Sequence, residues 1–189
     1  SVSSFFYTFS HSSIQSIGNS AFEGCNASNF DHVFFNCDSL VTIGDDIFAD
    51  CANANNFNAA FSSCSLLTTL GDRTFAGCIG MTSFPTDMFS GTNNLSTVGS
   101  EMFAGCSNVT SFNSFFSFAG LDTMGDGMFR NCTSAQTFIG TFQFTSLTAI
   151  PSGTFDNCTA ATNFTNLIRS TSTLQTVSND LFSDCTLAN

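Results

Sequence analysis

Seven phenylalanines, each followed three residues later by a cysteine, stand 26, 27, 28, 26, 26 and 27 residues apart along the chain. The pairs are Phe22/Cys25, Phe48/Cys51, Phe75/Cys78, Phe103/Cys106, Phe129/Cys132, Phe155/Cys158 and Phe182/Cys185. Periodicity of this length restricts the fold to a stack of like units, each too small to bury its own apolar face and each covered by its neighbours. Further columns share the period. Leu40-x-x-Ile43, Leu67-x-x-Leu70, Leu95-x-x-Val98, Leu121-x-x-Met124, Leu147-x-x-Ile150 and Leu174-x-x-Val177 form one, opened by Ile14-x-x-Ile17. Phe30, Phe57, Phe84, Phe112, Phe138 and Phe164 form another.

Inside a unit the apolar step is mostly three. That matches neither the 3.6 of an amphipathic helix nor the 2.0 of a strand. It matches a coil of short strands and tight turns. The expected fold is a repeat solenoid, mainly β, with about seven coils of 26–28 residues and one domain spanning residues 1–189. Strands of successive coils pair about 4.8 Å apart, which turns each column into a ladder of like side chains. The chain holds 25 Phe, each contributing roughly 1.5–3 kcal/mol when buried, so Phe ladders are the expected source of stability.

The runs "TIGDDIFADC", "TLGDRTFAGC" and "TVGSEMFAGC" resemble the BspA-like class of bacterial leucine-rich repeats, over residues 14–185. Units are longer than usual for that class, with Phe in place of strand Leu or Ile at Phe84 and Phe112. The resemblance implies a secreted or cell-surface location and a role in adhesion or protein binding.

Composition narrows the partners. There are three Arg, no Lys and a formal net charge of -11. Phosphate backbones require clustered cations, which argues against nucleic acid, and anionic membrane surfaces are disfavoured likewise. No apolar run reaches the roughly 18 residues of a membrane span, so membrane insertion is not expected.

Nine Cys raise the question of a disulfide scaffold. Seven share one column, and Cys37 and Cys64 share a second whose other positions read as His11, Thr92, Phe118, Phe144 and Thr171. Phe does not fit a disulfide column, and stacked thiols stand too far apart for relaxed bridges. Buried free thiols acting as small hydrophobes are expected, with a Cys37–Cys64 bridge left open. Zinc lacks a C-x-x-C pair.

The acids Asp45, Asp46, Asp72, Glu101, Asp126 and Asp180 follow the Leu-x-x-Ile motif and read as turn formers. The Thr column at 42, 69, 97, 123 and 176 reads as ordinary strand residues. Sequons at Asn26, Asn94, Asn108 and Asn163 are candidate glycosylation sites; those at Asn131 and Asn157 overlap the Cys column. His11 and His32 belong to no catalytic constellation, and no phosphate loop or cofactor motif occurs, so neither catalysis nor a cofactor is expected.

The ends carry no evident caps. The start is apolar, and the last Phe-x-x-Cys falls close to the end. The lack of a signal peptide at Ser1 reads as a processed protein or a piece of a longer one. Joined head to tail, the termini read Phe182-x-x-Cys185-x-x-Ala188-x-x-Val2-x-x-Phe5, and Phe22 then falls 29 residues after Phe182. Two half-units completing one coil between molecules would give an open filament. Val2, Phe5, Phe6, Phe182, Cys185 and Ala188 are the candidate contacts. The alternative is a monomeric module taking a host or matrix protein, or a glycan, on its solenoid face.

Overall fold

The computed structural model describes residues 2–116 and 120–185. Turns and two-residue strands make up the coils. The strands are β1 (Ser16–Ile17), β2 (Thr42–Ile43), β3 (Thr69–Leu70), β4 (Thr97–Val98), β5 (Thr123–Met124), β6 (Ala149–Ile150) and β7 (Thr176–Val177). They pair in parallel, one coil to the next, as a five-stranded sheet β1–β5 and a two-stranded sheet β6–β7. Register follows the sequence columns: Ile17 faces Ile43, Ile43 faces Leu70, and Leu70 faces Val98. In β2 through β6 the second residue points into the core.

The step of three has a local cause. The Phe48 carbonyl accepts the Cys51 N–H at 3.2 Å, and this bond recurs at Phe75/Cys78 and Phe103/Cys106. A turn closed over three residues returns every third side chain to the same side. Each turn is shaped by left-handed residues. In the second coil these are His32, Asn36, Asp46 and Asp50, with φ between 54° and 57°. In the third they are Ala59, Ser63, Arg73 and Gly77.

A left-handed backbone costs a non-glycine residue roughly 1–2 kcal/mol, least for Asn and Asp. Phe144 sits there with φ 62° and a side chain 51% exposed, so it bears this cost with half its ring in water. Phe144→Asn is expected to stabilise the chain by about 1 kcal/mol and raise the melting temperature by about 2–4 °C. A thermal melt checks this; a lowered midpoint would contradict it.

The twelve largest fully buried side chains are all Phe. Phe22, Phe48, Phe75, Phe103, Phe129, Phe155 and Phe182 stack in one column with centroids 5.3–5.8 Å apart. The column from Phe5 through Phe30 and Phe57 to Phe164 meets it edge-on, as at Phe30–Phe48 (4.9 Å, 67°) and Phe138–Phe155 (4.8 Å, 74°). Offset stacks and edge-to-face contacts are the two favoured aromatic geometries. This second column does not occupy strands. Most members follow isolated bridge residues, as Phe30 follows Asn29, and Phe84 and Phe112 lie outside the strands, so they do not replace strand Leu or Ile.

Those bridges reset the phase of the unit. Ser4 pairs with Asn29, and Asn29 with Asn56. Phe5 therefore opens the coil that Cys25 closes, and Phe164 opens the one holding Cys185. Ser28 N–H donates to the Ser3 carbonyl, and Asn55 N–H to that of Ser28. Val2 consequently stands in the column of Ala27 and Ala54, not in a strand position before Phe5. Joined ends would thus meet as coil on coil, not as two halves of one coil.

Candidate functional site

The repeated chemistry of the coil comes first, because it decides what remains for a site. All nine cysteines are free thiols. They are more than hydrophobic filler. Cys78 Sγ donates to the Phe48 carbonyl of the preceding coil at 3.3 Å, Cys106 to Phe75 at 3.1 Å, and Cys132 to Phe103 at 3.2 Å. Each of these carbonyls also accepts the N–H of its own turn. The thiol therefore fills a second lone pair that water cannot reach. Burial pushes the Cys51 and Cys106 thiols up to about 12, and Cys78, Cys132 and Cys158 upward as well. In the second column, contact with Cys37 together with burial holds the Cys64 thiol protonated.

In that second column Thr92 and Thr171 stand as the sequence places them, whereas the first and sixth coils differ by one position. His11 and Phe144 lie at left-handed turn residues. The side chains in register with Cys37 and Cys64 are Ser12, Thr92, Thr145 and Thr171. Ser12 Oγ lies 3.4 Å from Cys37 Sγ, and Thr92 and Thr145 donate to the carbonyls of Phe89 and Phe142. Phe118 lies outside the described residues. Among the described residues the column holds small S–H or O–H donors, a preference hidden by the one-residue offset.

The turn acids act on the backbone. Asp45 N–H donates to Asn19 Oδ1 at 3.0 Å, Asp72 N–H to Asp45 Oδ1 at 2.9 Å, and Ser100 N–H to Asp72 Oδ1 at 2.7 Å. Each side chain caps the next coil's turn, and among the described residues no group of three or more His, Cys, Asp or Glu gathers as a metal would require. Beside them runs a chain of alternating charge that the sequence did not suggest: Asp46, Arg73, Glu101, Arg130, Asp156. Its contacts are 2.8, 3.5, 2.7 and 3.4 Å. His11 contacts Ser10, while His32 contacts Asp31 and stacks on Tyr7 at 4.4 Å.

Of the sequons, Asn26, Asn94 and Asn108 are exposed and Asn163 is half-buried. Asn94 and Asn108 donate their amide nitrogens to the carbonyls of Ser65 and Ile79, both at 2.8 Å. Asn163 Oδ1 accepts the Thr165 N–H.

The end residues separate by position. Phe5, Phe22, Phe182 and Cys185 are half-buried and packed on the core, whereas Val2 and Phe6 are exposed. Ala188 lies outside the described residues. One glycine column reports on neighbours directly. A Cβ on Gly44, Gly71, Gly99 or Gly125 would meet the preceding coil's turn at 2.3–2.5 Å, whereas one on Gly18 would meet nothing within 4 Å. A cleft of about 470 Å³ opens at Thr86–Asn93, where the repeat is least regular.

Among known proteins, the profile of the BspA type leucine rich repeat region matches residues 7–113 and 68–189, in six copies. A comparison with curated protein sequences gives no match. Three solved structures are similar to the chain. A leucine-rich repeat protein of T. pallidum is 15% identical with a TM-score of 0.47, over 81% of this chain and 63% of its own. One from Bacteroides ovatus is 18% identical with a TM-score of 0.33, over 92% and 62%. A leucine rich cell surface protein from Faecalibacterium prausnitzii is 19% identical with a TM-score of 0.25, over 81% and 43%. The chain spans less than two thirds of the length of each. No helix is long and apolar enough to cross a membrane among the described residues. The family profile covers nearly the whole sequence, and the parallel strands follow its period: the chain belongs to the BspA-type leucine-rich-repeat family.

Proposed function

We propose that this chain is a non-enzymatic structural or adhesive repeat protein of the cell surface or extracellular space, and that copies stack head to tail into a filament. The observation that carries the reading is Gly18. Gly44, Gly71, Gly99 and Gly125 of its column have a coil close in front of them, with Pro151 and Ser178 at the later positions, whereas a Cβ on Gly18 would meet nothing within 4 Å. A second copy placed on the first coil would supply the same close approach.

Hydrogen-bond polarity supports this joint. On the turn side, N–H groups of one coil donate to carbonyls of the next, as from Phe5 to Asn29 and from Phe30 to Asn56. Along these turns the first coil offers acceptors and the last offers donors, with the reverse along the strands, as from Gly44 to Ile17, a heterologous interface that does not close on itself. Phe164 would stack on Phe5 of the next copy, and Phe182 on Phe22. Neither nucleic acid, nor a cofactor, nor membrane insertion enters this function.

Electron microscopy of the concentrated 189-residue chain is expected to show fibres. Phe5→Asp is expected to abolish them while the central coils keep their thermal transition. Dispersed monomers of the unaltered chain would overturn the proposal and leave Gly18 to a preceding coil of the same polypeptide. The second reading, a monomeric module that takes a protein or glycan, is favoured by the cleft at Thr86–Asn93.

A further inference from the structure

Coil 4 departs from its neighbours. It carries the longest spacing in the chain, 28 residues from Phe75 to Phe103, and one of two prolines, Pro85. The bridge ladder that joins Ser4, Asn29 and Asn56 resumes only at Ser111 among the described residues. The ring stack breaks at the same place. Phe61 and Phe89 lie parallel at 5.6 Å, but Phe89 meets Phe115 edge-on at 83°. Parallel stacking returns at Phe116–Phe142, 5.8 Å apart.

The cleft lies over this break. It is about twice the volume of the hollows at Asn55–Pro85 and at Arg73–Arg130, which measure about 210 and 240 Å³. Its size falls within the range of small-molecule sites, roughly 300–1,000 Å³. Insertions in repeat proteins map to loops on one face, often the face that binds. Gly91 adds an independent sign. Described members of its left-handed column are His11, Asn36, Ser63, Phe144 and Ser170, all with side chains. Gly91 alone among them leaves the position bare, and it lines the cleft.

The lining selects a chemical class. Asp87 is its single formal charge, and Ser90, Asn93, Thr86 and Ser114 supply hydroxyl and amide groups. No cation lines it, so anions are disfavoured. One carboxylate is too few for a metal ion. Phe89 and Phe115 are only 6% and 5% exposed, too covered to hold a large apolar ligand yet able to floor a small C–H face. A neutral polyol meets all three conditions. Its hydroxyls both donate and accept, as do Asn and Ser, and a carboxylate takes two of them.

We propose that the cleft between coils 4 and 5 binds a neutral saccharide, with Asp87 and Asn93 holding ring hydroxyls over Phe89 and Phe115. This rests on the binding-module reading and is independent of end-to-end stacking.

The test is amide chemical-shift titration of the ¹⁵N-labelled chain. The probes are maltotriose, cellotriose, triacetylchitotriose, a sulfated trisaccharide and calcium alone. A neutral trisaccharide is expected to move the amides of Thr86–Asn93. Asp87→Ala and Gly91→Asn are each expected to weaken it at least about tenfold, the equivalent of about 1.4 kcal/mol. Gly91→Asn suits the fold because Asn36 holds a left-handed φ of 56° in the same column, against 78° at Gly91, and an unchanged melting temperature verifies this. Binding that both variants leave intact places the saccharide elsewhere and overturns the cleft while sparing the module. Preference for the sulfated probe, a response to calcium alone, or silence from every neutral probe overturns the proposal, and complete silence removes the glycan reading with it.

Discussion

Raising the pH from about 9 to about 10.5 is expected to unfold this protein cooperatively, without added denaturant. The cause is the thiol column. Cys51, Cys78, Cys106, Cys132 and Cys158 are fully covered, and burial raises each of them, Cys51 and Cys106 to about 12. Below about pH 9 the thiols are protonated in both states, and their stability is fully present. Above it the unfolded chain ionises while the folded chain does not, so each thiol removes roughly 1.4 kcal/mol per pH unit. Five thiols over about 1.5 units remove about 10 kcal/mol, comparable to the whole stability of an ordinary domain. The background is unusually quiet, because the sequence has no Lys and one Tyr. Urea midpoints at pH 7, 9, 10 and 10.5 check the result. Replacing Cys78, Cys106 and Cys132 by Ser is expected to cut the slope by more than half. Stability that stays flat to pH 11 would refute the account.

Gly71→Ala is expected to destabilise the chain by about 3 kcal/mol or more, while Gly18→Ala leaves it unchanged. Both residues occupy the same column. The added Cβ on Gly71 would lie 2.5 Å from the Gly44 carbonyl carbon and 2.6 Å from the Asp45 nitrogen, both backbone atoms fixed by the ladder. Two coils must part to admit it. Gly18 has open space. In a chain of this size the difference corresponds to about 6–12 °C in melting temperature. Equal effects at the two sites would show that backbone freedom, not coil spacing, selects these glycines. Were the copies assembled end to end, Gly18→Ala would instead weaken the fibre.

Periodic features were legible in the sequence because every column is sampled up to seven times. Phe22 through Phe182 could be placed without coordinates, as could the in-register Thr-Ile strands. What escaped needed either phase or singularity. A recurring spacing fixes the length of a unit but not where it opens, and only the Ser4–Asn29 bridge shows that Phe5 begins a coil. One offset residue set His11 and Phe144 among the thiols, because tight turns place chemically different residues side by side. The alternating charges were missed because Arg73 and Glu101 share a column whereas Arg130 and Asp156 belong to the neighbouring one. The cleft left faint signs: a period of 28, Pro85, and a glycine where other coils carry side chains.

The charge chain acquires another meaning when the sameness of the coils is considered. A stack of near-identical rungs has little to penalise a slip by one whole coil, because Phe would still meet Phe and Cys would still meet a carbonyl. Asp46, Arg73, Glu101, Arg130 and Asp156 are not interchangeable in this way. Shifted by one coil, Arg73 would face Arg130 and Glu101 would face Asp156, and like charges repel. Exposed pairs of this kind add little to stability. Their value lies in telling one rung from the next, so that a repetitive chain can find a single alignment.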